Sequence, residues 1–408
     1  MARLTRLLIV LIVTTVAGLP IAPRIIGPAA THANDISRAV VEDHGHLTIL
    51  RLRGTPYEMG YQHGVTQRSV IRQWVNEEVL GRTILGMGQS HGVLLAHARQ
   101  LERAVPLEIQ HELRGIADGA GLPYTDILLL NLVLNRLPSV PFLPAEAPSL
   151  PPTLNLQALA FAASPVSASS RSELGVRKET WPSAARQDDR LEDTLLGYRL
   201  NAPGQAGRLR RHLLAVIYQP ADGQAYATLT WSGQVGAWGG LNEANLAMCA
   251  TPAEGGDVND QELPPAILTR QLLAHARDGE QALRQAIRHD YVATFQLIMA
   301  DGARNTTTVI AFGAHRYDII EAQTGALTFG PGQAQLASLL NRNLGWLNRD
   351  KALAALSNRQ APDGKTPGIC GESTLLSALL VPSHGELWVG LDLWPAACHR
   401  YLRLRLSG

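Results

Sequence analysis

Residues 54–64 read Gly54-Thr55-Pro56-Tyr57-Glu58-Met59-Gly60-Tyr61-Gln62-His63-Gly64. Gly54-Thr55-Pro56 is turn chemistry. Thr55 offers an oxygen for an N-cap, and Pro56 suits the first helical position, where its missing N–H costs nothing. The pattern predicts a helix from Tyr57 to about Leu80. Glu58 favours the positive end of that helix. His63 reads as a packed histidine rather than a base. Just before the turn, residues 46–53 (His-Leu-Thr-Ile-Leu-Arg-Leu-Arg) alternate in the manner of a strand.

Working outward, residues 91–117 carry apolar residues at helical spacing. Gly115 to Tyr124 reads as a helix end plus turn, organised by Asp118 around Gly119 and Gly121, and Asp126 to Leu134 starts another helix. Residues 34–157 are therefore expected to be mainly helical, ending in a Pro-rich linker over 137–155. Residues 165–194, rich in Ser, Arg, Asp and Glu, predict an exposed insertion. From 195 the texture changes to hairpins. His212–Gln219 and Ala225–Trp231 flank Asp222-Gly223, Ser232–Gly240 is a glycine-rich turn, and Leu246–Ala250 is a buried strand. A helix over Pro264–His289 precedes three strands, Phe295–Ala300, Thr307–Phe312 and Arg316–Glu321. A helix over Leu347–Leu356 is followed by strands Thr374–Val381 and Glu386–Leu391 and by a closing strand, Tyr401–Leu406. Hairpins separated by helix pairs imply two sheets flanked by helices.

Composition narrows the function. The 408 residues hold 36 Lys plus Arg against 35 Asp plus Glu. A net charge of +1 gives no general pull towards nucleic acid or anionic membranes. Charged residues are 17% of the chain, below the roughly 25% of soluble domains. Arg3 and Arg6 precede an apolar run, Leu7–Val16, and Thr31-His32-Ala33 offers a small-x-small cleavage site, so residues 1–33 read as an export signal. The expectation is a periplasmic or extracellular protein with no membrane segment after signal removal. An uncleaved N-terminal anchor is the alternative. Among Cys249, Cys370 and Cys398, the pair Cys370 and Cys398 is the expected bridge, because both lie in the last strand-rich segment; buried free thiols are the alternative. No Cys-x-x-Cys, His-Glu-x-x-His, Walker loop or dinucleotide fingerprint occurs, so no metal or cofactor is expected.

The 54–64 stretch resembles the N-terminal signature of the penicillin acyltransferase-like family, acyl-coenzyme A:isopenicillin-N acyltransferase and its hydrolase relatives. Four further segments follow in the family's order. They are Gly115–Gly121 with Asp126–Asn131, then Gly233–Glu243, Ala300–Gly302, and Ile369-Cys370 through Val389. The resemblance implies an α+β fold, the αββα sandwich of N-terminal-nucleophile hydrolases, with its core over 158–408. It also implies a chemistry. The chain cuts itself before a cysteine, and the freed α-amine, with a pKa of roughly 7.7–8, takes the thiol proton. The thiolate then attacks an amide or thioester carbonyl to form an acyl-enzyme, and neighbouring donors hold the oxyanion. The expected partner is a small acyl-amide or acyl-donor ligand. Oligomeric state is not readable from the chain.

Carried over residue by residue, the site is eroded. The family's Cys-Thr-x-Phe-Ala-Ala start aligns with Ala158-Leu159-Ala160-Phe161-Ala162-Ala163, so a methyl group stands in the nucleophile slot. The Gly-Arg-Asn-x-Asp strand aligns with Gly197-Tyr198-Arg199-Leu200-Asn201, replacing the arginine by Tyr198 and the aspartate by Asn201. Asn242 matches the oxyanion amide, with a turn residue as the plainer reading. The later Asn-His segment has no clean match beyond Asn341 or Asn343, and Arg349 is a weak match for a downstream arginine. The expectation is a homologue without its catalytic cysteine. Two other readings stay open. One is an active amidase or acyltransferase using a serine among Ser164, Ser167, Ser169 and Ser170. The other is a non-catalytic protein of the cell envelope.

Overall fold

Thr55 caps the first helix, as its chemistry requires. Its hydroxyl accepts from Glu58 N, and the Glu58 carboxylate accepts from Thr55 N at 2.7 Å, closing a capping box. The computed structural model describes residues 38–135, 157–164, 177–179, 193–252, 263–288, 294–359, 368–390 and 400–406, with breaks at 46, 87, 89, 314–315, 323–324, 331 and 342–346. The expected signal (1–33), the 137–155 linker, most of the 165–194 insertion, Ser167, Ser169, Ser170, Asn343 and Cys398 lie outside the described residues.

Strands β1 (Val40–Asp43) and β2 (Thr48–Gly54) lead into helices α1 (Pro56–Thr66) and α2 (Arg68–Trp74). A π-helical stretch (Val75–Gly86), α3 (His91–Ala104), α4 (Leu107–Ala120) and α5 (Tyr124–Asn135) follow. Next come β3 (Gln157–Ser164), β4 (Arg177–Glu179), β5 (Leu195–Asn201), α6 (Ala206–Arg210), β6 (Leu213–Pro220), β7 (Tyr226–Trp231), β8 (Gly239–Asn242) and β9 (Leu246–Pro252). After them come α7 (Pro265–His275), α8 (Gly279–Ala286), β10 (Phe295–Asp301), β11 (Thr306–Phe312), β12 (Tyr317–Ala322) and β13 (Gly325–Phe329). The chain ends with α9 (Gln333–Asn341), α10 (Arg349–Leu356), β14 (Thr374–Val381), β15 (Glu386–Gly390) and β16 (Tyr401–Arg405).

The strands form two sheets. One has ten strands in the order β1-β2-β6-β7-β8-β9-β10-β11-β12-β4, and the other has six, β13-β3-β5-β14-β15-β16. Among the described residues, only the pairs β2–β6 and β12–β4 are parallel. The sheets face each other, with β3 against β9 and β10. Helices α1, α7 and α8 cover the large sheet, and α9 and α10 cover the small one. The layer order is αββα and the class α+β, as expected. Alternation along β3 divides its side chains. Ala158, Ala160 and Ala162 join the core between the sheets, while Leu159, Phe161 and Ala163 join a second core with Leu336, Leu340 and Leu356 of α9 and α10.

Five expectations change. The long helix from Tyr57 breaks at Gln67, where φ −109° and ψ 17° leave the helical basin, and resumes as α2 and the π-helical stretch. The helix end and turn expected within 115–124 are there, with the end later than position 117. Helix α4 runs on to Ala120 and stops only at Gly121, in left-handed conformation at φ 65°. The Pro264–His289 helix is two helices, the second capped by Asp278, whose side chain accepts from Gln281 N at 2.7 Å. Part of the expected insertion, β4, is a strand paired with β12. Asp118 accepts from the Tyr57 hydroxyl at 2.7 Å rather than organising a turn.

Gly115 and Gly119 belong instead to a seam. A methyl on Gly60 of α1 would strike the Glu112 carbonyl of α4, and one on Gly64 would strike that of Ile116. Reciprocally, methyls on Gly115 and Gly119 would strike the carbonyls of Tyr57 and Tyr61. The two helices therefore touch backbone to backbone. Gly115→Ala is expected to cost about 1–3 kcal/mol through forced separation of the helices. Gly207→Ala in α6, where a methyl meets nothing within 4 Å, should be neutral or stabilise by up to about 1 kcal/mol. Urea unfolding at unchanged slope checks both.

Candidate active site

The head of β3 is where the sequence places the nucleophile. Ala158 pairs with Leu200 of β5, and its methyl faces the core between the sheets at 1% exposure. Behind it, a methyl on Gly330 (φ 95°) would collide with the Ala158 carbonyl, so only glycine fits there. Tyr198 lies on the same face of β5 and is fully buried; a methyl on Gly239 of β8 would stand 3.3 Å from its ring. Burial, then the nearby Cys249, pushes the Tyr198 hydroxyl well above the usual phenol range, and it has no hydrogen-bond partner among the described residues. Cys249 is free and buried, and burial raises its thiol strongly. A thiol so placed stays protonated and is no nucleophile. Cys370 is disulfide-bonded.

The remaining expected site residues point elsewhere. Arg199 alternates to the opposite face of β5, where its Nη2 donates to Thr374 Oγ1 at 2.8 Å while Nε and Nη1 are buried without partners among the described residues. Burial lowers its pKa to about 10. Asn201 pairs with Gln157, next to the β3 head, and its Oδ1 is buried without a partner among the described residues. Asn242 does not face Ala158. Its Nδ2 donates to the carbonyls of Leu273 at 3.0 Å and Ala276 at 2.9 Å, and its Oδ1 accepts from Ala244 N and Leu246 N, both at 3.1 Å. Asn242 and Gly240 share the helix-covered face of the large sheet, and Gly239 turns to the inter-sheet face. With every polar atom engaged by backbone, the Asn242 amide closes the end of α7 and has nothing left for an oxyanion. Ser164 shares the inner face of β3 with Ala158 but sits six residues on, about 20 Å away along an extended strand. Its hydroxyl donates to the Asn305 carbonyl. Asn341 ends α9 and Arg349 opens α10, where its guanidinium lies 4.8 Å over the Trp388 ring. The structure thus puts Ala158 and Tyr198 on one face of the small sheet, with Tyr198 opposite Ala160, and sets Asn242, Ser164 and the Arg199 guanidinium apart from Ala158.

A polar cluster escaped the sequence reading. Glu112 of α4 and Arg270 of α7, both buried, form an ion pair, and Arg270 Nη1 also donates to Val235 O at 2.7 Å. The Tyr218 hydroxyl donates to Glu112, and Arg270 Nε donates to the Tyr226 hydroxyl at 3.0 Å. The two charges stand 158 positions apart in the chain, and only the helical face shared by Ile109, Glu112, Leu113 and Ile116 hints that Glu112 turns inward.

Comparison with known proteins now bears on this geometry. Residues 210–328 match the family model of acyl-coenzyme A:6-aminopenicillanic acid acyltransferase. The chain is 32% identical over 123 residues to an Archaeoglobus fulgidus protein, a match covering 26% of this chain and 20% of that one. It is 23% identical over 314 residues to protein dcd1A of Dictyostelium discoideum, covering 70% of this chain and 63% of that one. The chain thus spans about a fifth of the first relative's length and under two thirds of the second's. Among solved structures it is similar to an N-acylethanolamine-hydrolyzing acid amidase ortholog of Caenorhabditis elegans, at 14% identity and TM-score 0.41, over 55% of this chain and 93% of that one. The stretch matching the acyltransferase model takes in Asn242 and β6 to β12, and begins after Ala158, Tyr198 and Asn201.

The matched stretch is held to the 54–64 signature at Gly54, whose carbonyl accepts from Ala221 N at 2.9 Å, and at a buried histidine. His63 Nε2 accepts from Gly233 N at 3.0 Å, and Asn131 brackets the same turn, donating to Gly233 O at 2.8 Å and accepting from Val235 N at 3.0 Å. Complete burial, with the Arg270 charge adding, lowers the His63 pKa to about 3. The folded protein therefore holds His63 neutral, while the unfolded chain protonates it near 6.5. The contribution to stability is complete above pH 6.5 and falls as the pH drops towards 3, by up to about 1.4 kcal/mol per unit. His63→Gln keeps an acceptor for Gly233 N and removes the titration. The stability gap between native protein and this variant should shrink by about 2 kcal/mol between pH 6.5 and 5, measured by urea unfolding. A gap independent of pH would contradict a neutral buried His63.

Proposed function

We propose that this chain is an exported relative of amide hydrolases and acyltransferases that keeps their sandwich and has lost the attacking group. The observation that carries the reading is Ala158. A methyl cannot attack a carbonyl, and it occupies the head of β3 facing the inter-sheet core. Three features support it. The Tyr198 ring occupies the same face, and its hydroxyl has no hydrogen-bond partner among the described residues. Asn201 stands where the family's aspartate would steady an ammonium, and an amide carries no charge to do so. The Ser164 hydroxyl lies at the far end of the strand and bonds a turn carbonyl. Export is supported by the Arg3, Arg6 and Leu7–Val16 pattern, and the bonded Cys370 suits an oxidising compartment. The ancestral ligand class is an acyl amide or acyl donor.

Intact-mass analysis of the secreted protein should give a single chain shortened only by the signal. N-acyl amides and activated esters should remain unhydrolysed. Ala158→Cys alone should also give no turnover, because Tyr198 and Asn201 leave a new thiol without a poised base. A new N-terminus between 158 and 170, or turnover by the native chain, would overturn the reading.

A further inference from the structure

On the outer face of the six-stranded sheet, where α10 packs on β5 and β14, the Arg199 side chain is fully enclosed. Only its Nη2 is engaged, by Thr374 Oγ1, and among the described residues its Nε and Nη1 meet no acceptor. We propose that this guanidinium holds a halide-sized monovalent anion, chloride above all, beneath the end of α10.

A buried guanidinium without a counter-charge is strongly unfavourable, so folds supply one. This fold does so for Arg270, through Glu112. Among the described residues it does not do so for Arg199. Glu386, on the same face of the small sheet, is taken by Arg403 and Arg405. Asp350, at the start of α10, pairs with Arg349 at 3.0 Å, and Glu372, in the loop before β14, is exposed. Burial depresses the Arg199 pKa to about 10, and Tyr401 opposes that fall only in part. At that value the side chain is still protonated at neutral pH, so the charge is present and unanswered.

Its polar neighbours are hydroxyls. Ser377 of β14 stands opposite Arg199 in the register, and its Oγ lies 2.9 Å from the Tyr401 hydroxyl of β16. Gly390 of β15, opposite Tyr401, brings no side chain, so the phenol reaches across that strand. Ser357 Oγ, at the end of α10, donates to the same phenol oxygen at 3.4 Å. Within the Ser377–Tyr401 pair one hydroxyl donates to the other, which leaves one proton free. Thr374 Oγ1 accepts from Arg199 and from Gly371 N at 3.1 Å, so its own proton is also left to donate. Hydroxyl protons rotate to suit, and they gather here around a cation that lacks a carboxylate. That donor set fits an anion, and charge-assisted bonds to it are the strong ones. Enclosure of Arg199 limits the occupant to one small ion. Space opens beside Thr374, where a methyl on Gly371 would meet nothing within 4 Å, and Tyr401 and Ser357 are only half-buried.

Thermal unfolding of the full chain, followed by circular dichroism at constant ionic strength, would replace potassium gluconate stepwise by potassium bromide. Gluconate is too large for an enclosed site, and bromide stands in for chloride. Arg199→Met keeps the volume and removes the charge, so its Tm reports the general effect of the salt. Relative to that variant, the Tm of the native chain should rise along a saturating curve, by roughly 3 °C at a hundredfold the half-saturating bromide concentration. In gluconate alone the variant should be at least as stable as the native chain, because it buries no unpaired charge. Crystals of the native chain soaked in bromide should show an anomalous peak within hydrogen-bond distance of Arg199 Nε or Nη1, a readout that does not depend on the variant folding. The proposal is overturned if the two proteins respond alike to bromide, or if the soaked crystals show no peak at Arg199.

Discussion

The contact between α1 and α4 leaves no room for side chains. Gly60 and Gly64 on one helix meet Gly115 and Gly119 on the other, and each glycine lies against a carbonyl of its neighbour. At this separation the helices behave as one rigid slab. The slab sets where Gln62 can fasten Arg53 of β2, through bonds of 3.0 and 2.7 Å to its backbone, and where His63 can meet Gly233. It also places Glu112 beneath Arg270. The large sheet is thus held to its helical cover by groups whose positions depend on four missing methyls.

Seen this way, the 54–64 signature is scaffold throughout. Thr55, Pro56 and Glu58 start the helix, Tyr57 ties to Asp118, Gln62 grips β2, and His63 bonds the Gly233 turn. None of these touches Ala158. A chain can therefore drift at positions 158, 198 and 201 and still carry the signature intact, because the two sets of residues answer to different constraints. One answers to backbone approach in the helical layer, the other to chemistry between the sheets.

Much of the fold was legible where local physics decides. The β6–β7 hairpin follows from alternation around Asp222-Gly223, and Gly223 takes φ 112° in its turn. The β14–β15 hairpin turns through Ser383-His384-Gly385, with Gly385 at φ 59°. Strand β8 was hidden because Gly239-Gly240 reads as a turn; its glycines are there for the Ala227 carbonyl and the Tyr198 ring, which no local pattern announces. The face of Asn242 was equally hidden. Its orientation follows from the β7–β8 register, in which Asn242 stands opposite Tyr226. At the site, the alanine at position 158 was readable, while the parity that sends Arg199 to the outer face and the length that separates Ser164 from Ala158 needed the strand itself. The Glu112–Arg270 pair joins positions too distant for any periodicity to link.

One pairing has a consequence for how the molecule is made. Strand β2 lies parallel to β6, with Thr48 opposite Leu214, so the amino-terminal strands and the helices behind them dock on a partner more than 160 residues downstream. During synthesis the early segment leaves the ribosome long before that edge exists. Non-local parallel pairing is slow to form and leaves apolar surface uncovered meanwhile. The early strands and their helical cover must therefore wait while more than 160 further residues are made before the edge they dock on exists.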